Sequence, residues 1–211
     1  MIKKKHYNYL TNINQILLIV LLVLSTTSFA QLLDAAALDT VKTYSLEQAL
    51  KQKDPLKVYK LSLKKLKLTE LPASIYQFKN LQHLIISKNK LKEFPKEITQ
   101  FNYLQILDIG SNKIEIVPKE LGELIHLKEF YANQNKIVSI PPEIKNLKKL
   151  TYLDLWGNDI GSLPYEISEL QNTLKEIDMR VILMSAKEHK KIKELLPETK
   201  IRFSKSCDCG F

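Results

Sequence analysis

The chain has 211 residues, a formal net charge of +9, 45% hydrophobic and 26% charged residues. This length is sufficient for one domain with a continuous core, and the composition excludes a disordered or fibrous chain. The basic balance would suit nucleic acid, but the lysines recur at loop positions of successive sequence units, as on a solvated surface, and no nucleic-acid partner is expected.

The N-terminus carries the pattern of a secretory signal. Lys3, Lys4 and Lys5 form a positive stretch, Ile16 to Leu24 is an uninterrupted apolar run, and Ser28-Phe29-Ala30 presents small residues where a signal peptidase reads. Residues 1–30 are therefore expected to be removed, leaving Gln31 first, with an uncleaved signal anchor as the alternative. The apolar run is short for a span of about 20 residues. The expected location is secreted or periplasmic, with no stable membrane span after cleavage. No Asn-x-Ser/Thr acceptor is present, so nothing suggests a glycosylated ectodomain.

Residues 31–57 form an N-terminal segment. No regular structure is expected up to about Tyr44. Ser45-Leu46-Glu47-Gln48 then reads as a capping box that opens a short helix to about Lys51.

From Val58 the chain repeats. Val58, Leu81, Leu104, Leu127 and Leu150 are spaced by 23 residues, and the same apolar offsets return in each unit. The second unit reads Leu81, Leu84, Ile86, Asn89, Leu91, Phe94-Pro95, Ile98 and Phe101; the fifth reads Leu150, Leu153, Leu155, Asn158, Ile160, Leu163-Pro164, Ile167 and Leu170. In each unit two core residues alternate with outward ones, which is the period of a short strand buried on one face. The Asn can donate to and accept from the backbone of neighbouring coils. Leu66 and Ile182 stand at this position in the first and last units, where a coil has a neighbour on one side only. The Pro fixes the return path, and apolar residues three apart, such as Ile98 and Phe101, predict a single 3₁₀ or helical turn.

These residues resemble the leucine-rich repeat, L-x-x-L-x-L-x-x-N-x-L, in its bacterial Leu-Pro form. The resemblance covers 58–184, as five full units and one truncated unit. It implies an α/β solenoid: a horseshoe with one short parallel strand per repeat, closed by helical caps. Leu174, Ile177 and Met179 continue the strand pattern without a Pro half. Ser185-Ala186-Lys187-Glu188 is a second capping box, opening a helix to Leu196 before Pro197, and Ile201 and Phe203 alternate as in a short strand. Residues 185–211 thus read as a C-terminal cap and tail. Cys207 and Cys209 are the two cysteines, too few for a disulfide framework or a structural zinc site.

Outward strand residues of six strands should line the concave face in columns. Its N-terminal end is basic, with Lys60, Lys64 and Lys65. Its C-terminal half is acidic and aromatic, and the candidate ligand-binding residues are Asp108, Glu129, Tyr131, Tyr152, Asp154, Trp156, Glu176, Asp178 and Arg180. Exposed Trp and Tyr are enriched where partners bind, and Asp154 beside Asp178 places like charges on adjacent strands. The competing reading is that the aromatics shield the sheet while Arg180 neutralises the acids.

No catalytic set is legible. His83 faces outward without a nucleophile beside it, and no phosphate-binding loop or metal-ligand spacing occurs. Two carboxylates, Asp154 and Asp178, are few for calcium. The expectation is a non-catalytic module without cofactor or metal that binds a protein or peptide. The alternative is an envelope structural or glycan-binding protein.

Overall fold

The structure, a computed structural model, describes residues 32–182 and 184–204. The signal segment and both cysteines lie outside these. In chain order the described residues form helix α1 (Ala35–Thr40), strand β1 (Thr43–Ser45), helix α2 (Leu46–Leu50), strands β2 (Lys60–Ser62), β3 (His83–Ile85), β4 (Ile106–Asp108), β5 (Glu129–Tyr131), β6 (Tyr152–Asp154) and β7 (Glu176–Met179), helix α3 (Ala186–Leu195) and strand β8 (Lys200–Phe203). All eight strands belong to one open sheet, in sequence order and parallel throughout.

Register follows the repeat. Leu61, Leu84, Leu107, Phe130, Leu153 and Ile177 pair across the sheet as one row. This row is fully buried, and it forms one continuous core with the 3₁₀ turns on the far side. Each of those turns starts directly after the proline of its unit, as Lys96–Gln100 does after Pro95 and Lys119–Glu123 after Pro118. Proline holds φ near the value such a turn needs and has no N–H to leave unpaired at its start.

The asparagines bind coil to coil. The side-chain N–H of Asn112 donates to Ile86 O at 3.1 Å and to Ile109 O at 2.9 Å, while its carbonyl accepts from Leu91 N at 3.1 Å. Asn89, Asn135 and Asn158 repeat these bonds. Each reaches backward, to the coil that precedes its own. This direction accounts for Leu66, because no repeat precedes the first one. It does not account for Ile182, which has a coil behind it; Ile182 is instead a buried part of the core.

Both expected capping serines stand at helix starts, and the reciprocal box is complete at the first. Ser45 and Gln48 bond reciprocally at the start of α2, and the Ser185 side chain accepts from Glu188 N at the start of α3. Ala49 of α2, Ile192 of α3 and Leu196 just beyond it join the core.

The expectation that residues up to Tyr44 lack regular structure is corrected. Residues 32–45 contain a helix and a strand, and the sheet has eight strands rather than six, because β1 and the short strand expected at Ile201 and Phe203, β8, both join it. Strand β1 pairs Thr43 with Lys60. Helix α1 is capped by Asp34, whose carboxylate accepts from Ala37 N at 2.8 Å. No apolar period announces either element, because long-range contacts hold them. Leu33 N donates to Gln82 Oε1 at 2.9 Å, Gln105 Nε2 donates to Leu33 O at 2.7 Å, and Lys60 Nζ donates to Asp39 O at 3.3 Å.

Candidate functional site

The core takes alternate strand residues, so the others define an open face. Two columns lie in register. One runs Lys60, His83, Ile106, Glu129, Tyr152, Glu176 and Lys200; the other runs Ser62, Ile85, Asp108, Tyr131, Asp154, Asp178 and Arg202. Trp156 lies two residues beyond β6, and Arg180 follows β7 directly. The structure therefore brings all nine candidate residues onto adjoining strands or the residues just after them.

The aromatic members touch. The Tyr131 and Tyr152 ring centroids are 5.2 Å apart, tilted at 45°. Tyr131, Tyr152 and Trp156 are each half-buried, offering ring faces while the sheet fixes their position. The Tyr131 hydroxyl donates to Glu129 Oε2 at 2.6 Å. Burial, and then this bond to a carboxylate, hold the Tyr131 pKa well above the ordinary range.

Every candidate acid has a partner within the chain. Asp108 accepts from Gly110 N at 2.9 Å. Asp154 accepts from Trp156 N at 3.1 Å and from Asn133 Nδ2 at 2.6 Å. Gly110 makes room for that asparagine, since a Cβ there would lie 2.8 Å from Asn133 Oδ1. Glu176 is bridged by Lys200 at 3.1 Å and Arg202 at 2.5 Å. Asp178, only 3% exposed, takes Arg180 Nε at 3.0 Å and Nη2 at 2.6 Å.

The neighbouring carboxyls Asp154 and Asp178 consequently titrate in opposite directions. Burial raises Asp154, with Asp178 adding to it, and its two hydrogen bonds only partly offset this. Burial pushes Asp178 upward too, but the Arg180 side chain and backbone N–H outweigh it and lower its pKa. The like-charge contact anticipated from the sequence is real in register and is relieved by Arg180, with Arg202 contributing.

The N-terminal end of the face differs. Helix α1 lies over the first column there. Lys60 is only 7% exposed, and a cavity of about 70 Å³ between α1 and the sheet is lined by Ala35, Leu38, Asp39, Gln105, Ile106, Lys128 and Glu129. His83 is lowered to about 4 by burial and by Lys60, against the pull of Asp108 and Asp39. The roles of Gln82 and Gln105 were missed in the sequence. The available signal was a glutamine at one offset in two consecutive units. Among the described residues no three metal-ligating side chains cluster, and no helix is long and apolar enough to cross a membrane.

With this geometry in hand, the relatives are informative. A family model described as leucine-rich repeats in two copies matches residues 125–165. A solved leucine-rich-repeat protein of Leptospira interrogans is 33% identical, with a TM-score of 0.61, over 77% of this chain and 46% of its own. Internalin C2 of Listeria monocytogenes is 20% identical, with a TM-score of 0.58, over 72% of this chain and 66% of its own, a likeness of fold alone. The chain thus spans less than two thirds of the length of either structure. No curated protein matches it. Repeat pattern, sheet and relatives define the class of fold: an α/β solenoid of the leucine-rich-repeat kind, with leucine-rich repeats matched at residues 125–165. Domains of this class generally mediate protein–protein binding and are typically not catalysts.

Proposed function

We propose that the chain is an exported binding module, of the 23-residue Leu-Pro repeat type, that takes a protein or peptide partner on the C-terminal half of its open face. The observation that carries this reading is the Tyr131–Tyr152 pair with Trp156 beside Asp154, on a surface the core does not require. Aromatic side chains held rigid and half-buried lose little entropy on binding, and residues of this kind dominate interface energetics. Asp108, Glu129, Asp154 and Glu176 surround them and favour a cationic group on the partner. Because these acids already have partners within the chain, they act on approach and orientation more than on affinity.

Capture from extracellular or envelope extracts, followed by affinity measurement, tests the reading. Trp156→Ala is expected to weaken binding by about 2 kcal/mol or more while the protein stays folded. Asp154→Asn is expected to reduce the dependence of association on salt. Unchanged affinity in both, with loss on changing the 3₁₀-turn side instead, overturns the placement. The export part is tested separately, by intact mass of the mature chain. A start at Gln31 supports cleavage after Ala30, and a start at Met1 favours a membrane anchor.

A further inference from the structure

We infer that α1 is a displaceable clasp over a second docking subsite on the open face, lined by Lys60, His83 and Ile106, which suits an apolar side chain beside an anionic one. This rests on the open face being the docking surface, and α1 itself supplies the chemistry of the occupant. Leu38 is 2% exposed, yet it is not part of the continuous core, so it is buried on the other side of the sheet. Asp39 follows it, places its carbonyl on Lys60 Nζ and lies near enough to His83 to act on its charge.

Three features make the clasp separable from the solenoid. A six-residue helix has no stability of its own in water, so its contacts alone keep it seated. Among the described residues of this helix one side chain, Leu38, is buried, and the bonds at its edges include those of Gln82 and Gln105 to Leu33 and of Lys60 to Asp39. The packing beneath it leaves the small cavity noted above, unlike the close-packed core. Segments attached in this way open locally while the rest of the fold stays closed. Glu129 lines that cavity and also holds the Tyr131 hydroxyl, so the covered subsite adjoins the aromatic one.

Covering also links the clasp to acidity. Lys60 on β2, Asp108 on β4 and Asp39 on α1 face His83, and burial keeps it neutral under the clasp, with an orphan Nδ1. When α1 lifts, its pKa returns toward the ordinary value of about 6.5. The open form therefore gains a proton that the closed form resists, and opening is favoured as pH falls through that value.

Hydrogen–deuterium exchange on the full chain tests this. Amides 35–40 should exchange much faster than those of β3 to β6. After correction for intrinsic exchange, their opening should rise by up to about twentyfold from pH 7.5 to pH 5, and His83→Gln should remove that rise. Leu38→Asp should release the clasp and increase diethyl pyrocarbonate labelling of His83 several-fold, with strand protection unchanged. A synthetic peptide of residues 32–41, at roughly millimolar excess, should then suppress labelling in that variant, and the same peptide carrying Leu38→Asp should not. Amides of α1 that exchange as slowly as the strands, labelling insensitive to Leu38→Asp, or a peptide without effect would each overturn the inference. None of these readouts involves the aromatic residues, so failure here is distinguishable from failure at Trp156.

Discussion

The two sides of each strand obey different rules. On the buried side apolar residues, and at one offset asparagine, recur from coil to coil, whereas on the open side apolar, acidic and aromatic residues succeed one another. The asparagine position is Asn89, Asn112, Asn135 and Asn158 in successive coils, with the same bonds each time. The open column beside it runs Ile85, Asp108, Tyr131, Asp154 and Asp178. Repetition marks what every coil needs in order to stack on its neighbour. Variation marks what stacking leaves free, and the candidate site is found there.

Substitutions at matched positions can break this contrast. The largest effect is expected in the core row: Phe130→Ala should cost about 3–5 kcal/mol, read from the shift in the urea unfolding midpoint. Asn135→Ala should come next, at about 1–3 kcal/mol, because Ile114 N and the carbonyls of Ile109 and Ala132 lose a buried partner. A value equal to that of Lys119→Ala, an exposed change expected to stay within about 0.5 kcal/mol, would show the ladder to be dispensable.

A finer test uses the two carboxyls that pair in register. Asp178 has a lowered pKa, so its contribution is present above the unfolded value of about 3.9 and is lost as pH falls through the folded one. Asp154 has a raised pKa, so folding disfavours its charged form at neutral pH. Asp178→Asn should therefore lower the unfolding midpoint at pH 7 more than Asp154→Asn does. The gap should close in a titration below pH of about 4. The smallest stability effect is expected at the proposed anchor: Trp156→Ala, half-buried on the open side, should cost under about 1 kcal/mol. A larger loss would mean that Trp156 shields the sheet and belongs with the repeated set.

The same contrast explains what is legible in the sequence. The repeats were legible because their spacing is imposed by stacking, and the strand register followed from the offsets of Leu84, Leu107 and Phe130. The nine site residues could be named for the same reason, since whatever alternates with the core must lie on the other face. Of their mutual bonds, the pairing of Arg180 with an acid two positions away was legible. That Asn133 would reach Asp154 over Gly110 was not, because it depends on rotamers and on neighbours 21 and 23 positions away. Helix α1 was illegible for a further reason. Leu33 finds its partners at Gln82 and Gln105, separated by 49 and 72 residues, and a stretch of alanines with two acids carries no period that points there.

The backward reach of each asparagine also gives the molecule joints of two kinds, a hook on one side of a coil and an eye on the other. Coils two to five all carry both, so a 23-residue block copied in frame between any of them would find its couplings already in place. The first coil has only the eye, since Leu66 stands where the hook would be, and a copy of it placed further along would leave Leu68-type amides before it unclaimed. A copied interior coil would thus keep its couplings and a copy of the first repeat would lose one, as the sixth coil does with Ile182, whereas the open face could change independently in each new copy.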